Sequence, residues 1–143
     1  MLEQIKDELR FSQHCSEARN PMTKILVAED QVDLREMIAL TLRLSGYEVL
    51  ATEDGEQAYR QARAALPDLM ILDLEMPLLS GSEVCRRLKA RQDFAATPVV
   101  IISSNDDPVQ IEDSLKAGAR EYIRKPFEIN QLMETVAALL TEN

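Results

Sequence analysis

One histidine, two cysteines and no tryptophan occur among the 143 residues. Cys15 and Cys85 stand far apart with no paired spacing, which excludes a zinc-type thiolate centre. Cys85 falls with Val84 and Leu88 on a helical pattern and reads as core, whereas Cys15 reads as a free surface thiol. Unpaired thiols suit a reducing compartment, so the location expected is cytoplasmic. His14, the single imidazole, has no supporting helical bundle and reads as a solvated side chain. No apolar stretch approaches the roughly 20 residues of a membrane span. The start, Met1-Leu2-Glu3-Gln4-Ile5-Lys6-Asp7, lacks the basic head and long apolar core of a secretory signal. Internal repeats and low-complexity tracts are absent. So is any basic excess: 25 acidic residues oppose 16 basic ones, for a net charge of -9. That balance disfavours nucleic acid phosphates and anionic membranes as direct partners.

What is present is a regular alternation. A chain of this length suits one domain, and folding buries roughly two-thirds of the surface its unfolded form exposes. From Lys24 onward, short apolar runs alternate with helix-period segments. Strands are predicted at Ile25–Ala28, Tyr47–Ala51, Leu69–Asp73, Val99–Ile102 and Glu121–Arg124, the fourth being rich in β-branched residues. Helices are predicted at Leu34–Ser45, Gly55–Leu66, Ser82–Ala90, Pro108–Ala117 and Glu128–Leu140. Gly46 and Gly118 stop the first and fourth of these, Gly118 as a left-handed cap. Five strands alternating with five helices imply an α/β fold with a parallel sheet covered on both faces. Right-handed crossovers leave few arrangements, and the flavodoxin-like doubly wound order 2-1-3-4-5 is the one expected. Residues 1–22 read as an N-terminal extension, partly helical, with Leu2, Ile5 and Leu9 at helical spacing and a break at Asn20-Pro21. Residues 23–143 form the main unit.

Two of the strands end in acids. Lys24-Ile25-Leu26-Val27-Ala28 runs into Glu29-Asp30, and Leu69-Met70-Ile71-Leu72 runs into Asp73, with Leu74-Glu75-Met76-Pro77 beyond. In the 2-1-3-4-5 order the first and third strands are neighbours, and ligands bind outside the strand C-termini where the order reverses. Three carboxylates gathered there repel one another, so one of them must hold a proton or all must share a cation. Mg²⁺, which takes a few carboxylates together with waters and phosphate, is the cation expected. Lys125 ends the fifth strand and balances the remaining charge, and Ser103 offers a hydroxyl at the end of the fourth. Acid, metal, lysine and hydroxyl together suit phosphoryl transfer onto a carboxylate, with Asp73 as nucleophile.

Glu29-Asp30, Asp73 with Met76-Pro77 and Gly81, Ser103, and Lys125-Pro126-Phe127, in that order, resemble the receiver domain of bacterial two-component response regulators. The match runs from Lys24 to about Leu140. The resemblance implies that Asp73 accepts a phosphoryl group from a histidine on a sensor kinase or a histidine phosphotransfer protein. It implies that Glu29, Asp30, Asp73 and the backbone carbonyl of Glu75 hold Mg²⁺, that Lys125 contacts the phosphoryl group, and that the Lys125-Pro126 bond is cis. Ser103 would then move onto the phosphoryl group, and Tyr122 would turn into the space it leaves. The module would be no enzyme beyond its own phosphorylation and dephosphorylation. With no output segment after the last helix, it reads as a single-domain regulator.

This sequence departs from the pattern in a few places. Serine stands at the switch position in place of the more frequent threonine, and Ser104 keeps phosphoryl access open. Glu75 is an extra acid at the rim, expected to repel incoming groups or to bind Lys125 in the unphosphorylated state. Two other readings compete. A pseudo-receiver would bind partners without phosphorylation. A phosphatase of the haloacid dehalogenase type needs a second aspartate two residues on, followed by Gly-Thr, and Glu75-Met76-Pro77 does not supply it. Leu34, Ile38 and Leu42 of the first helix can face the core, which leaves Met37, Leu40 and Leu44 on another face as a partner surface. Its occupant could be a phosphodonor, the N-terminal segment, or a second copy in a homodimer. The matching apolar edge Leu2-Ile5-Leu9 tilts the choice toward the last two.

Overall fold

The computed structural model describes residues 22–142. The expected extension helix with Leu2, Ile5 and Leu9, and the readings of His14 and Cys15, lie outside them. The elements follow in the order β1 (Lys24–Ala28), α1 (Val32–Leu44), β2 (Glu48–Thr52), α2 (Gly55–Ala65), β3 (Leu69–Asp73), α3 (Gly81–Lys89), a 3₁₀ turn (Gln92–Phe94), β4 (Val99–Ser103), α4 (Pro108–Lys116), β5 (Glu121–Arg124) and α5 (Ile129–Thr141). All strands are parallel and their order is β2-β1-β3-β4-β5, as the sequence predicts. β3 and β5 have the predicted bounds, and the other elements differ by one or two residues at an end.

Strand parity divides the interior into two layers. Ile25, Val27, Leu69, Ile71, Val100 and Ile102 point to one face, where Ile38 and Leu42 of α1 and Leu132 and Val136 of α5 cover them. Leu26, Ala28, Met70, Leu72, Val99 and Ile101 point to the other, under Ala58 and Ala62 of α2 and Val84, Cys85 and Leu88 of α3. The spacing of Leu34, Ile38 and Leu42 explains the seating of α1: Ile38 and Leu42 are fully buried and Leu34 packs at the margin. Met37, Leu40 and Leu44 are left 43%, 58% and 79% exposed on its outer side. The 3₁₀ turn carries a core residue that periodicity does not reveal, Phe94, which is fully buried. Removing a side chain of that size from water is worth roughly 1.5–3 kcal/mol.

Three helix starts are fixed by side-chain caps. Asp54, Ser80 and Asp107 accept hydrogen bonds from the backbone N–H groups of Gln57, Glu83 and Val109, which satisfies donors the helix cannot pair itself. Gly46 and Gly118 have φ of +98° and +116°, so both expected helix stops occupy backbone that favours glycine. Gly81 opens α3 directly against β3. A methyl group there would strike the Asp73 carbonyl oxygen, so the missing side chain is what lets the loop fold back over the strand end.

Candidate functional site

Parallel strands place all their C-termini along one edge of the sheet. Asp73, the last residue of β3, pairs in register with Ile102, and Ser103 pairs with Arg124, one residue before Lys125. Glu29 and Asp30 leave β1 beside β3. The register therefore collects the predicted residues at one spot. Carboxylate oxygens of Glu29, Asp30 and Asp73 lie within 4.8 Å of one another. Glu29 is fully buried, Asp73 is 2% exposed and Asp30 faces solvent.

Lys125 reaches into this cluster. Its Nζ donates to Asp73 Oδ2 at 3.3 Å and lies 3.1 Å from Glu29 Oε1. The Lys125–Pro126 peptide is cis, as the resemblance implies. Glu29 Oε2 accepts from the Gln31 N–H at 3.0 Å, and the Arg35 guanidinium donates to the Glu29 carbonyl oxygen at 2.9 Å. Neither Gln31 nor Arg35 is marked by the sequence: Gln31 acts through its backbone N–H, which almost any residue there could supply, and Arg35 places its guanidinium on a main-chain oxygen, which no sequence pattern reveals. Asp73 Oδ1 accepts from the Glu75 N–H at 3.3 Å.

Burial is the main reason that the Asp73 carboxyl is pushed up to about 7, with the Glu29 charge adding to it and Lys125 opposing it. Burial works against the charge on Lys125 as well, but the attraction of Asp73 and Glu29 outweighs it, so Lys125 is raised above the ordinary lysine range. One lysine thus does not balance three carboxylates. Glu29 Oε1 also has its ion pair out of line for a hydrogen bond and is left without one. A buried oxygen that lacks a hydrogen-bond donor, set among hard carboxylate ligands, fits a divalent cation such as Mg²⁺.

Ser103 is fully buried, yet its hydroxyl turns away from Asp73. It donates to the Glu75 carboxylate, 3.0 Å from Oε1 and 2.9 Å from Oε2, and accepts the Asn105 N–H at 2.9 Å. This corrects the expectation that Glu75 binds Lys125. Asp73 and Glu29 already hold the lysine, and β4 parity sends Ser103 to the α3–α4 side, where the Glu75 side chain also lies. Tyr122 is half-buried against the same layer and donates its hydroxyl proton to the Asn105 carbonyl oxygen at 2.7 Å. Cys85 is core as expected: burial pushes its thiol up to about 11, which leaves it unreactive.

Beside Lys125 opens a cleft of about 520 Å³, walled by Leu34 and Met37 of α1, Ser104, and the Lys125-Pro126-Phe127 turn. The apolar stripe on α1 therefore runs to the rim of the acid cluster through Met37. Among the described residues, no helix is long and apolar enough to cross a membrane.

A 2-1-3-4-5 sheet with this set of side chains along its C-terminal edge defines the receiver class of two-component signalling modules. Comparison with known proteins agrees. Residues 25–137 match the family described as the response regulator receiver domain, and the chain belongs to that family. It is 38% identical over 120 residues to the DNA-binding response regulator MtrA of Mycolicibacterium paratuberculosis, over 84% of this chain and 52% of that one. The chain thus spans about half the length of the curated relatives it matches. Chemotaxis response regulator CheY4 of Vibrio cholerae superposes with a TM-score of 0.78 at 28% identity, covering 83% of this chain and 99% of that one. The signal receiver domain of a signal transduction histidine kinase from Syntrophus aciditrophicus gives 0.78 at 32% identity, over 84% of this chain and 91% of that one.

Proposed function

We propose that residues 23–143 act as a phosphoryl acceptor, with Asp73 the accepting residue and a phosphohistidine of a sensor kinase or phosphotransfer protein the donor. The observation that carries this reading is the buried cluster of Glu29 and Asp73 with Lys125 reaching both, next to an exposed Asp30 that leaves the cluster open to solvent. An Asp73 oxygen attacks phosphorus, a P–O bond forms and the P–N bond to the donor imidazole breaks. The imidazole nitrogen keeps the electron pair and takes up a proton. Lys125 offers N–H groups to the phosphoryl oxygens, and Ser103 joins them once it leaves Glu75. Glu29, Asp30 and Asp73, with the Glu75 main-chain carbonyl, would hold Mg²⁺, which when bound supplies charge stabilisation for the transferring group. No substrate turnover is involved. The module catalyses its own phosphorylation and dephosphorylation only.

The gain of about one further negative charge and of acceptor oxygens at Asp73 must act on an element with two states. Ser103, the loop to Asp107, α4 and Tyr122 form that element: Tyr122 already bonds the loop through Asn105. Incubation with acetyl phosphate and Mg²⁺, followed by intact mass, tests the reading. One phosphoryl increment is expected, absent when a chelator replaces Mg²⁺. Lack of any increment favours the pseudo-receiver, and turnover of a phosphate ester favours the phosphatase.

The stripe Met37, Leu40 and Leu44 is the proposed docking surface for the phosphodonor, because Met37 also walls the cleft beside Lys125. Cover by the N-terminal segment or a second copy is the competing assignment. Met37→Glu with Leu40→Glu is expected to slow transfer from a phosphohistidine protein about tenfold or more, the cost of roughly 1–3 kcal/mol at a contact. Phosphorylation by acetyl phosphate, which needs no docking, should be unaffected. Equal loss with both donors would remove the assignment. Relatives named as DNA-binding carry roughly as much chain again. The chain's net charge of -9 argues against direct contact with nucleic acid phosphates.

A further inference from the structure

We propose that Glu75 is a latch that holds the Ser103 hydroxyl in the loop between β4 and α4, so that phosphoryl transfer to Asp73 must first break a charge-assisted hydrogen bond. The proposal rests on the phosphoryl-acceptor reading for its consequence, though not for its geometry.

Both hydrogen-bonding capacities of Ser103 are spent away from Asp73. Its one proton is shared between the two Glu75 carboxylate oxygens, at 3.0 and 2.9 Å, and its oxygen accepts the Asn105 N–H at 2.9 Å. A hydroxyl bonded to a carboxylate is held more tightly than one bonded to a neutral group, and Ser103 is shielded from competing water by complete burial. The loop side is fixed in turn: the Asn105 side chain accepts the Asp107 N–H, and the Asn105 carbonyl accepts the Tyr122 hydroxyl. One carboxylate thereby ties the β3 end to the loop and aromatic that the phosphoryl group is to move. The Glu75 backbone N–H bonds Asp73 Oδ1 at 3.3 Å, which keeps Glu75 beside the accepting residue. Added negative charge on Asp73 repels the Glu75 carboxylate, while the new phosphoryl oxygens compete for the Ser103 proton. Both effects open the latch in the same direction. Glu75 is a positioning residue that acts through Ser103.

Two readouts test it. In unphosphorylated protein, side-chain couplings by NMR should give one Ser103 rotamer in the wild type and a mixture in Glu75→Ala. The Asn105 amide resonance should move with it, since that N–H binds the Ser103 oxygen. Glu75 is exposed, so the variant should fold. An unchanged rotamer and an unmoved Asn105 amide overturn the latch, whatever the phosphorylation chemistry does. With acetyl phosphate and Mg²⁺, adduct formation should be roughly three- to tenfold faster in Glu75→Ala, the size of one modest hydrogen bond. The gain should vanish when Glu75→Ala is made in a Ser103→Ala background. A gain of equal size in that background would mean that Glu75 merely repels the anionic donor, and the latch is wrong. If no variant forms an adduct, the acceptor reading fails and the Ser103 rotamer alone decides whether the latch exists.

Discussion

Replacing Asp73 with Asn is expected to stabilise the metal-free protein by about 4 kcal/mol at about pH 8, as a pKa shift of this size implies. The carboxyl is raised from 3.8 to about 7 by burial first and by Glu29 second. A raised carboxyl binds its proton more tightly in the folded chain than in the unfolded one. Its favourable contribution is complete below the unfolded value and is lost as pH rises through the folded one. The wild type therefore loses stability, relative to Asp73→Asn, across the window from 3.8 to about 7. Urea unfolding in a chelator at a series of pH values measures this. The gap between the two proteins should open as pH rises and level off above about pH 8. A gap that stays constant would show that burial and the Glu29 charge do not raise the Asp73 carboxyl. Mg²⁺ should close most of the gap by binding the wild type more tightly than the variant.

The second large effect is at Lys125. Its ammonium is the cation that Glu29 and Asp73 share, at 3.1 and 3.3 Å, and its side chain is 19% exposed. Lys125→Met keeps the length of the stem and removes the charge. Two buried carboxylates are then left without their cation, a loss worth roughly 3 kcal/mol for a largely buried pair. Metal-free Lys125→Met should unfold at markedly lower urea than the wild type, and Mg²⁺ should recover much of the difference. Phosphorylation by acetyl phosphate should fall about a hundredfold even at saturating Mg²⁺, because a preorganised donor to the phosphoryl oxygens is gone. Full activity in the folded, Mg²⁺-loaded variant would remove Lys125 from the reaction. Normal metal-free stability would contradict the charge balance drawn for the cluster.

The acid edge was legible because it depends on strand ends and strand order alone. Apolar runs of four or five residues fix where β1, β3 and β4 stop, and the 2-1-3-4-5 order brings Glu29, Asp73, Ser103 and Lys125 to one side without any knowledge of loops. Side-chain partners chosen by loops were not legible. Glu75 and Ser103 are 28 residues apart, and their meeting depends on how the chain turns after Asp73. Charge alone suggested Lys125 as the partner of Glu75, whereas two nearer carboxylates already hold it. Phe94 escaped for a different reason. It is a lone aromatic in a polar stretch, Arg91 to Thr97, where a three-residue turn gives no periodicity to detect.

Locating the phosphoryl group on the chain tests the account most directly. After reaction with acetyl phosphate and Mg²⁺, the mark should map to the peptide that carries Asp73, and Asp73→Asn should acquire none. A mark that persists in Asp73→Asn, or that maps to another acid such as Glu75 or Asp30, would contradict it.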